Sequence, residues 1–214
     1  LPPFLSADRM YDDDDLVTCG WKNFLSPKLR RFPGDTKFDV QEILSVGGGG
    51  GFIQVTFGDD ATEYALKVRE ARTAAVLEKV QVGLRRAGHP ISVPSCQITR
   101  RDMLRRLYAF SNEGRDTKVF GNLPTKQRLA PVFPTRTQKC FGWLRIPGNR
   151  LIMYNKQIDS MNQAVQQGSP GLEPFKADQY YFSIVYEHIP QAPLQTKPVQ
   201  HQLSFFNSIG FMFC

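Results

Sequence analysis

Gly47-Gly48-Gly49-Gly50-Gly51-Phe52-Ile53-Gln54-Val55-Thr56-Phe57, then a Gly58-Asp59-Asp60 turn, then Glu63-Tyr64-Ala65-Leu66-Lys67-Val68: this stretch decides the fold. Upstream of it, Phe38, Val40, Ile43 and Leu44 lead into the glycines. Short apolar-rich runs punctuated by glycine and aspartate predict a three-stranded antiparallel meander with the glycine run at its first turn. Alone, five glycines read as a flexible linker. Between a strand and its hairpin partner they let the backbone approach bound phosphates and offer them N–H groups.

With Phe52 and Val55 in register, the stretch follows the protein-kinase pattern G-x-G-x-F-G-x-V. That frame puts Gly48 and Gly50 on the first two glycines and Ile53 on the third. Tyr64-Ala65-Leu66-Lys67 then stands for the V-A-I-K strand. Ala65 leaves room for an adenine ring, and Lys67 points inward toward the α- and β-phosphates. A buried, unpaired ammonium is costly, so Lys67 needs a carboxylate on the helix that follows. Glu78 serves if a helix over 69–88 is the kinase αC; Glu113 serves if 69–108 is an insertion.

Outward from this centre, good helix formers predict helices over 69–88, 101–110 and 112–122, the first stopped by Gly88 and Pro90. Strands are expected over 138–146 and 180–189, with an irregular polar loop over 155–178. Residues 198–214 read as a helix with Leu203, Phe206, Ile209 and Gly210 on or near one face. Residues 1–35, which include Asp12 to Asp15, read as an extended lead-in anchored by Trp21 and Phe24.

Composition bounds the class. The 214 residues are 41% hydrophobic and include 16 Phe, enough for a sizeable core and unlike a disordered tail. No apolar run approaches the length of a membrane span, and no secretory signal is visible, so no membrane partner is expected. A start at Leu1 and an end on Phe211-Met212-Phe213-Cys214 read as a chain cut from something longer, aggregation-prone through its apolar end. Cys19, Cys96, Cys140 and Cys214 are widely spaced and predict reduced thiols in the cytoplasm or nucleus. His89, His188 and His201 sit at no metal-ligand spacing, and no metal site is expected. The formal charge is +7, with basic segments at Lys28 to Arg31, Arg85-Arg86 and Arg100 to Arg106, a balance that suits an acidic partner such as nucleic acid.

Several phrases together resemble the fungal kinetochore family Fta-two, a kinase-like subunit of the inner-kinetochore Sim-four complex. Ser26-Pro27-Lys28-Leu29-Arg30-Arg31-Phe32 is similar to its G-P-K-L-x-x-F entry, and the glycine turn and Ala65-Leu66-Lys67 follow in order. Phe110-Ser111-Asn112-Glu113-Gly114-Arg115 resembles its F-x-N-E-C-R segment at the αC position, which selects Glu113 as the partner of Lys67. Lys139-Cys140-Phe141-Gly142-Trp143-Leu144 resembles its C-Y-G-W-L strand. Ile184-Val185-Tyr186-Glu187-His188-Ile189-Pro190 resembles the strand entering the kinase hinge. The resemblance runs from about residue 26 to 211. It implies Tyr186 as gatekeeper, with the backbone of Glu187 and Ile189 offering adenine its hydrogen bonds. Gly114 stands where the family has Cys.

The expected fold class is α+β: a protein-kinase-like N-lobe, a five-stranded antiparallel sheet with helix αC. It occupies 36–214, with insertions at about 69–108 and 155–178 and a C-lobe missing or only begun. The chain contains neither an H-R-D catalytic loop nor a D-F-G segment, the groups that accept the hydroxyl proton and hold Mg²⁺. No catalytic residue and no cofactor are therefore expected, with ATP and Mg²⁺ entering only if a C-lobe is present. The resemblance implies a non-catalytic structural subunit of the inner kinetochore, in the nucleus at the centromere. Its partners would be other kinetochore subunits, with a contact to centromeric chromatin or DNA through the basic segments. The rival readings are the truncated N-terminal part of an active protein kinase and a relative of aminoglycoside phosphotransferases.

Overall fold

The alternation Ile53-Gln54-Val55-Thr56-Phe57 puts every second side chain on one side of a strand, and that apolar side is where the sheet's core forms. The computed structural model describes residues 4–9, 17–34, 37–47, 50–59, 61–68, 72–95, 99–116, 122, 124, 129, 132–133, 137–156, 158–159, 173–190 and 196–209. Among these are seven strands: β1 (Leu5–Arg9), β2 (Leu29–Arg31), β3 (Phe38–Gly47), β4 (Gly50–Phe57), β5 (Glu63–Val68), β6 (Cys140–Pro147) and β7 (Tyr180–Glu187). There are five helices: α1 (Trp21–Leu25), α2 (Arg72–Ala87), α3 (Arg100–Tyr108), α4 (Asn112–Asp116) and α5 (Thr196–Ser208). None of the described helices is long and apolar enough to cross a membrane. The protein is α+β.

The chain divides into two compact units. The sheet unit comprises Leu1–Tyr11, Lys28–Ala74 and Gln138–Pro190; the helical unit comprises Asp12–Pro27, Ala75–Thr137 and Gln191–Cys214. The expected division set a lead-in over 1–35 beside a domain over 36–214. The first 35 residues contribute two strands to the sheet unit and one helix to the helical unit.

The strand order is β1-β2-β6-β7-β5-β4-β3. The β3-β4-β5 meander is antiparallel throughout, and β7 pairs antiparallel with both β5 and β6. The sheet has seven strands where five were expected, because β1 and β2 add in parallel beyond β6. Buried Leu5 and Leu29 hold them there, and the Trp143 indole N–H donates to the Ser6 carbonyl at 2.7 Å. Phe32 N–H donates to the Trp143 carbonyl at 2.7 Å. Gly142 makes this crossing possible: its φ is +112°, and a Cβ there would lie 2.7 Å from the Arg30 carbonyl oxygen. The core of this unit gathers Ile53, Val55, Phe57, Leu66, Val68, Leu144, Ile146 and Val185. An aromatic row closes one end of it, with ring centroids 4.7 Å apart for Phe32–Phe57 and 5.1 Å for Phe57–Tyr64.

In the helical unit, Val76, Val80, Val82 and Leu84 of α2 pack with Phe24, Phe110, Phe205 and Ile209. Thr99 caps α3, accepting the Asp102 N–H at 3.2 Å. On α5 the buried face is Phe205 and Ile209; Leu203, expected on it, is 44% exposed. Gly210 and the run 211–214 lie outside the described residues. Cys19 is a buried free thiol whose pKa burial pushes up, and Cys140 is free and half-buried; Cys96 and Cys214 lie outside the described residues.

Candidate functional site

Register decides which of the expected nucleotide-site residues share a face. In an antiparallel pair, directly opposed residues point to the same side of the sheet. Lys67 is opposed by Phe52 on β4 and Ile184 on β7; Ala65 is opposed by Gln54 and Tyr186. These six side chains therefore lie on one face of three adjacent strands. Trp143 joins them, opposed to Ile184 from β6. Lys67 is half-buried with its Nζ 5.3 Å from the centre of the Phe52 ring, a cation–π arrangement.

Val55 is on the other face. It is opposed by Tyr64, alternates with Gln54, and is fully buried in the core with Ile53, Leu66 and Val68. Val55, expected among the nucleotide-site residues with Ala65 and Lys67, is thus on the opposite face from both, and Gln54 lies beside Ala65. The signal was present in the sequence, because the two-residue apolar period of Ile53, Val55 and Phe57 is a core period. Of the glycines, Gly50 opens β4 and is paired with Gly47, and Gly51 with Val46. Gly48 lies outside the described residues.

At the far end of β7, Glu187 N–H donates to the Lys139 carbonyl at 2.8 Å. The Glu187 carbonyl, the expected acceptor for an adenine amino group, instead accepts the Gln138 side-chain amide at 2.6 Å. Ile189 follows the strand and is 53% exposed. Between them His188 Nδ1 lies 2.9 Å from Glu63 Oε2. Gln138 as a cap on the Glu187 carbonyl has no motif in the sequence.

Glu113 belongs to the helical unit, as does Glu78 on α2, the helix that directly follows β5. The Glu113 carboxylate accepts the Trp21 backbone N–H at 2.8 Å, capping the first turn of α1, whose own N-cap is Gly20. In return the Cys19 carbonyl accepts the Asn112 N–H at 2.9 Å. Its own backbone N–H and that of Trp21 hold the Glu113 carboxyl below its ordinary pKa, with the Ser111 hydroxyl and Arg115 acting the same way. Through the bond to Trp21, Glu113 acts as a tertiary helix cap.

The residue after it has no room for any side chain. A Cβ at Gly114 would lie 1.9 Å from the Tyr108 carbonyl oxygen and 3.1 Å from the Ala109 Cα. The turn is closed by Ser111, whose hydroxyl donates to that same carbonyl at 2.8 Å and accepts the Gly114 N–H at 3.1 Å.

Two of the expected nucleotide-site positions thus differ from a kinase site: Val55 faces the core, and the Glu187 carbonyl accepts a bond from Gln138. Among the described residues, no group of three or more His, Cys, Asp or Glu side chains is placed to hold a metal ion. Set beside known proteins, the chain matches no protein-family model, no curated protein and no solved structure.

Proposed function

We propose that the protein is a non-catalytic, protein-kinase-like interaction module that serves as a structural subunit of the fungal inner kinetochore, in the nucleus at the centromere. The observation that carries the fold half of this reading is the strand order. The five strands β3-β4-β5-β7-β6 are successively antiparallel, and a helix follows β5 directly. A kinase N-lobe likewise sets its glycine hairpin, lysine strand and hinge strand side by side, with αC entering after the lysine strand. Lys67 stands on the central one of these strands.

The non-catalytic half rests on chemistry. Phosphoryl transfer is positioning and charge stabilisation, supplied by a catalytic-loop Asp and metal-bound carboxylates. None of the 214 residues forms an H-R-D or D-F-G segment. Lys67 by itself supplies neither group. Such a lobe, kept without its reaction, is a rigid scaffold for protein contacts. The ordered run of family-like phrases from Ser26 to Phe211 supports other inner-kinetochore subunits as the partners.

The test is localisation. A fluorescently tagged protein expressed in fungal cells is expected to form discrete nuclear foci coincident with a centromeric histone marker. A uniform nuclear or cytoplasmic signal, with the protein intact by immunoblot, overturns the kinetochore assignment.

A further inference from the structure

The formal charge is divided unevenly between the units. The segments of the helical unit hold 14 Lys+Arg against 8 Asp+Glu, and those of the sheet unit 13 against 12, so +6 of the +7 belongs to the helical unit. The three basic segments differ in what they can offer a partner. Around Lys28 to Arg31 the chain is strand β2, with Leu29 fully buried. In Arg85-Arg86, the Arg86 guanidinium donates to the Val17 carbonyl at 2.9 Å and ties the chain to α2. On α3, Arg106 is buried and donates to the Asn207 carbonyl at 2.7 Å. Arg100, Arg101 and Arg105 remain exposed, and no described carboxylate is paired with them.

The helix carries one acid against its four arginines. Asp102 is bound up with the cap, its carboxylate accepting the Thr99 hydroxyl at 2.6 Å while its N–H donates to the same hydroxyl. Arg101 and Arg105 are four residues apart and so share a stripe, separated by about 6 Å along the axis; Arg100, in the same first turn, lies about 100° around the helix from Arg101. A pair of guanidiniums at this spacing, with a third on its flank, suits the regularly repeated phosphates of a nucleic-acid backbone. The aromatic residues nearby argue for the duplex over single strands. Trp21 and Tyr108 are half-buried and packed edge to face, 5.2 Å between centroids, so they present no open platform for unpaired bases.

We propose that Arg100, Arg101 and Arg105 form a docking ridge for the phosphate backbone of duplex DNA, read without regard to sequence. The ridge deepens the kinetochore reading and rests on it for the choice of DNA as the polyanion. Three phosphate contacts give a slope of log K against log salt of about −2.7, a loss of about 40-fold in affinity between 50 and 200 mM salt.

Fluorescence anisotropy of the full chain with a labelled mixed-sequence duplex of about 20 base pairs, titrated across that salt range, tests the ridge. The wild type is expected to bind with a slope at least that steep. R100A/R101A/R105A is expected to flatten the slope by about 2.7 and weaken binding by more than about 10-fold at low salt. R100K/R101K/R105K, which keeps the charge, is expected to retain binding, and an unchanged melting temperature for both variants establishes that they fold. Absence of binding at 50 mM salt, an unaltered slope in the alanine variant, or displacement of the duplex by polyglutamate at equal charge concentration overturns the ridge. Centromeric foci without DNA binding would overturn the ridge and leave the kinetochore reading intact; DNA binding without foci would do the reverse.

Discussion

Replacing Gly114 by cysteine is expected to unfold the helical unit at temperatures the parent chain tolerates. The obstacle is a backbone carbonyl: a Cβ at 114 would stand 1.9 Å from the Tyr108 oxygen, and a main-chain oxygen cannot rotate away as a flexible side chain can. Relief requires opening the turn closed by Ser111, which also aims Glu113 at the first turn of α1 and brings Asn112 to the Cys19 carbonyl. Overpacking with backbone displacement costs about 3 kcal/mol or more, a large share of a typical domain's stability. In a chain of this size that corresponds to a fall in melting temperature of about 6–12 °C. Gly114→Ala is expected to do almost as much damage as Gly114→Cys, since the first carbon makes the clash. Circular dichroism melts of both variants check this. A Gly114→Cys protein melting within about 2 °C of the parent would mean that the turn is not built as described.

The second large effect separates the two faces of β4. Val55→Asp is expected to cost about 3–5 kcal/mol, because it puts an unpaired carboxylate among Ile53, Leu66 and Val68 where no partner can reach it. Gln54→Glu, one residue away at a half-buried position on the opposite face, is expected to stay within about 0.5 kcal/mol of the parent. Chemical denaturation of the pair gives the comparison directly. If Val55 instead lined an open cleft beside Ala65, Val55→Asp would be tolerated and the order of the two variants would close up or invert.

The pair also marks what was legible in the sequence. Strands β3, β4, β5, β6 and β7 announce themselves through alternation and turn residues, and α2 and α3 through helix formers and caps, because these signals are local. The face of Val55 was legible too, in the period of Ile53, Val55 and Phe57. A glycine-motif template laid over the same residues pointed the other way, and it was the core period that held. Strands β1 and β2 were not legible. They are short, and their parallel pairing depends on Trp143 and Gly142, more than a hundred residues along the chain. The role of Glu113 was hidden for the same reason: it caps a helix whose first residue lies 92 positions earlier. Gln138 on the Glu187 carbonyl is likewise a pairing of the folded sheet, with nothing in either residue's neighbourhood to signal it.

On the proposed kinase-like reading, the strand order and the departures from a kinase site meet at Lys67. In a working kinase the lysine of this strand holds the α- and β-phosphates; here Lys67 lies beside Phe52, on a face shared with Gln54 and not with Val55. The proposed reading is of a lobe that serves by its shape. The most direct measurement is isothermal titration calorimetry of the full chain with Mg-ATP, backed by thermal melts. The prediction is no saturable heat and no change in melting temperature at about 1 mM nucleotide. A dissociation constant near 10 μM would instead stabilise the fold by about 2.7 kcal/mol at that concentration. Such binding, lost in Lys67→Ala, would contradict the account and restore Lys67 to a nucleotide site.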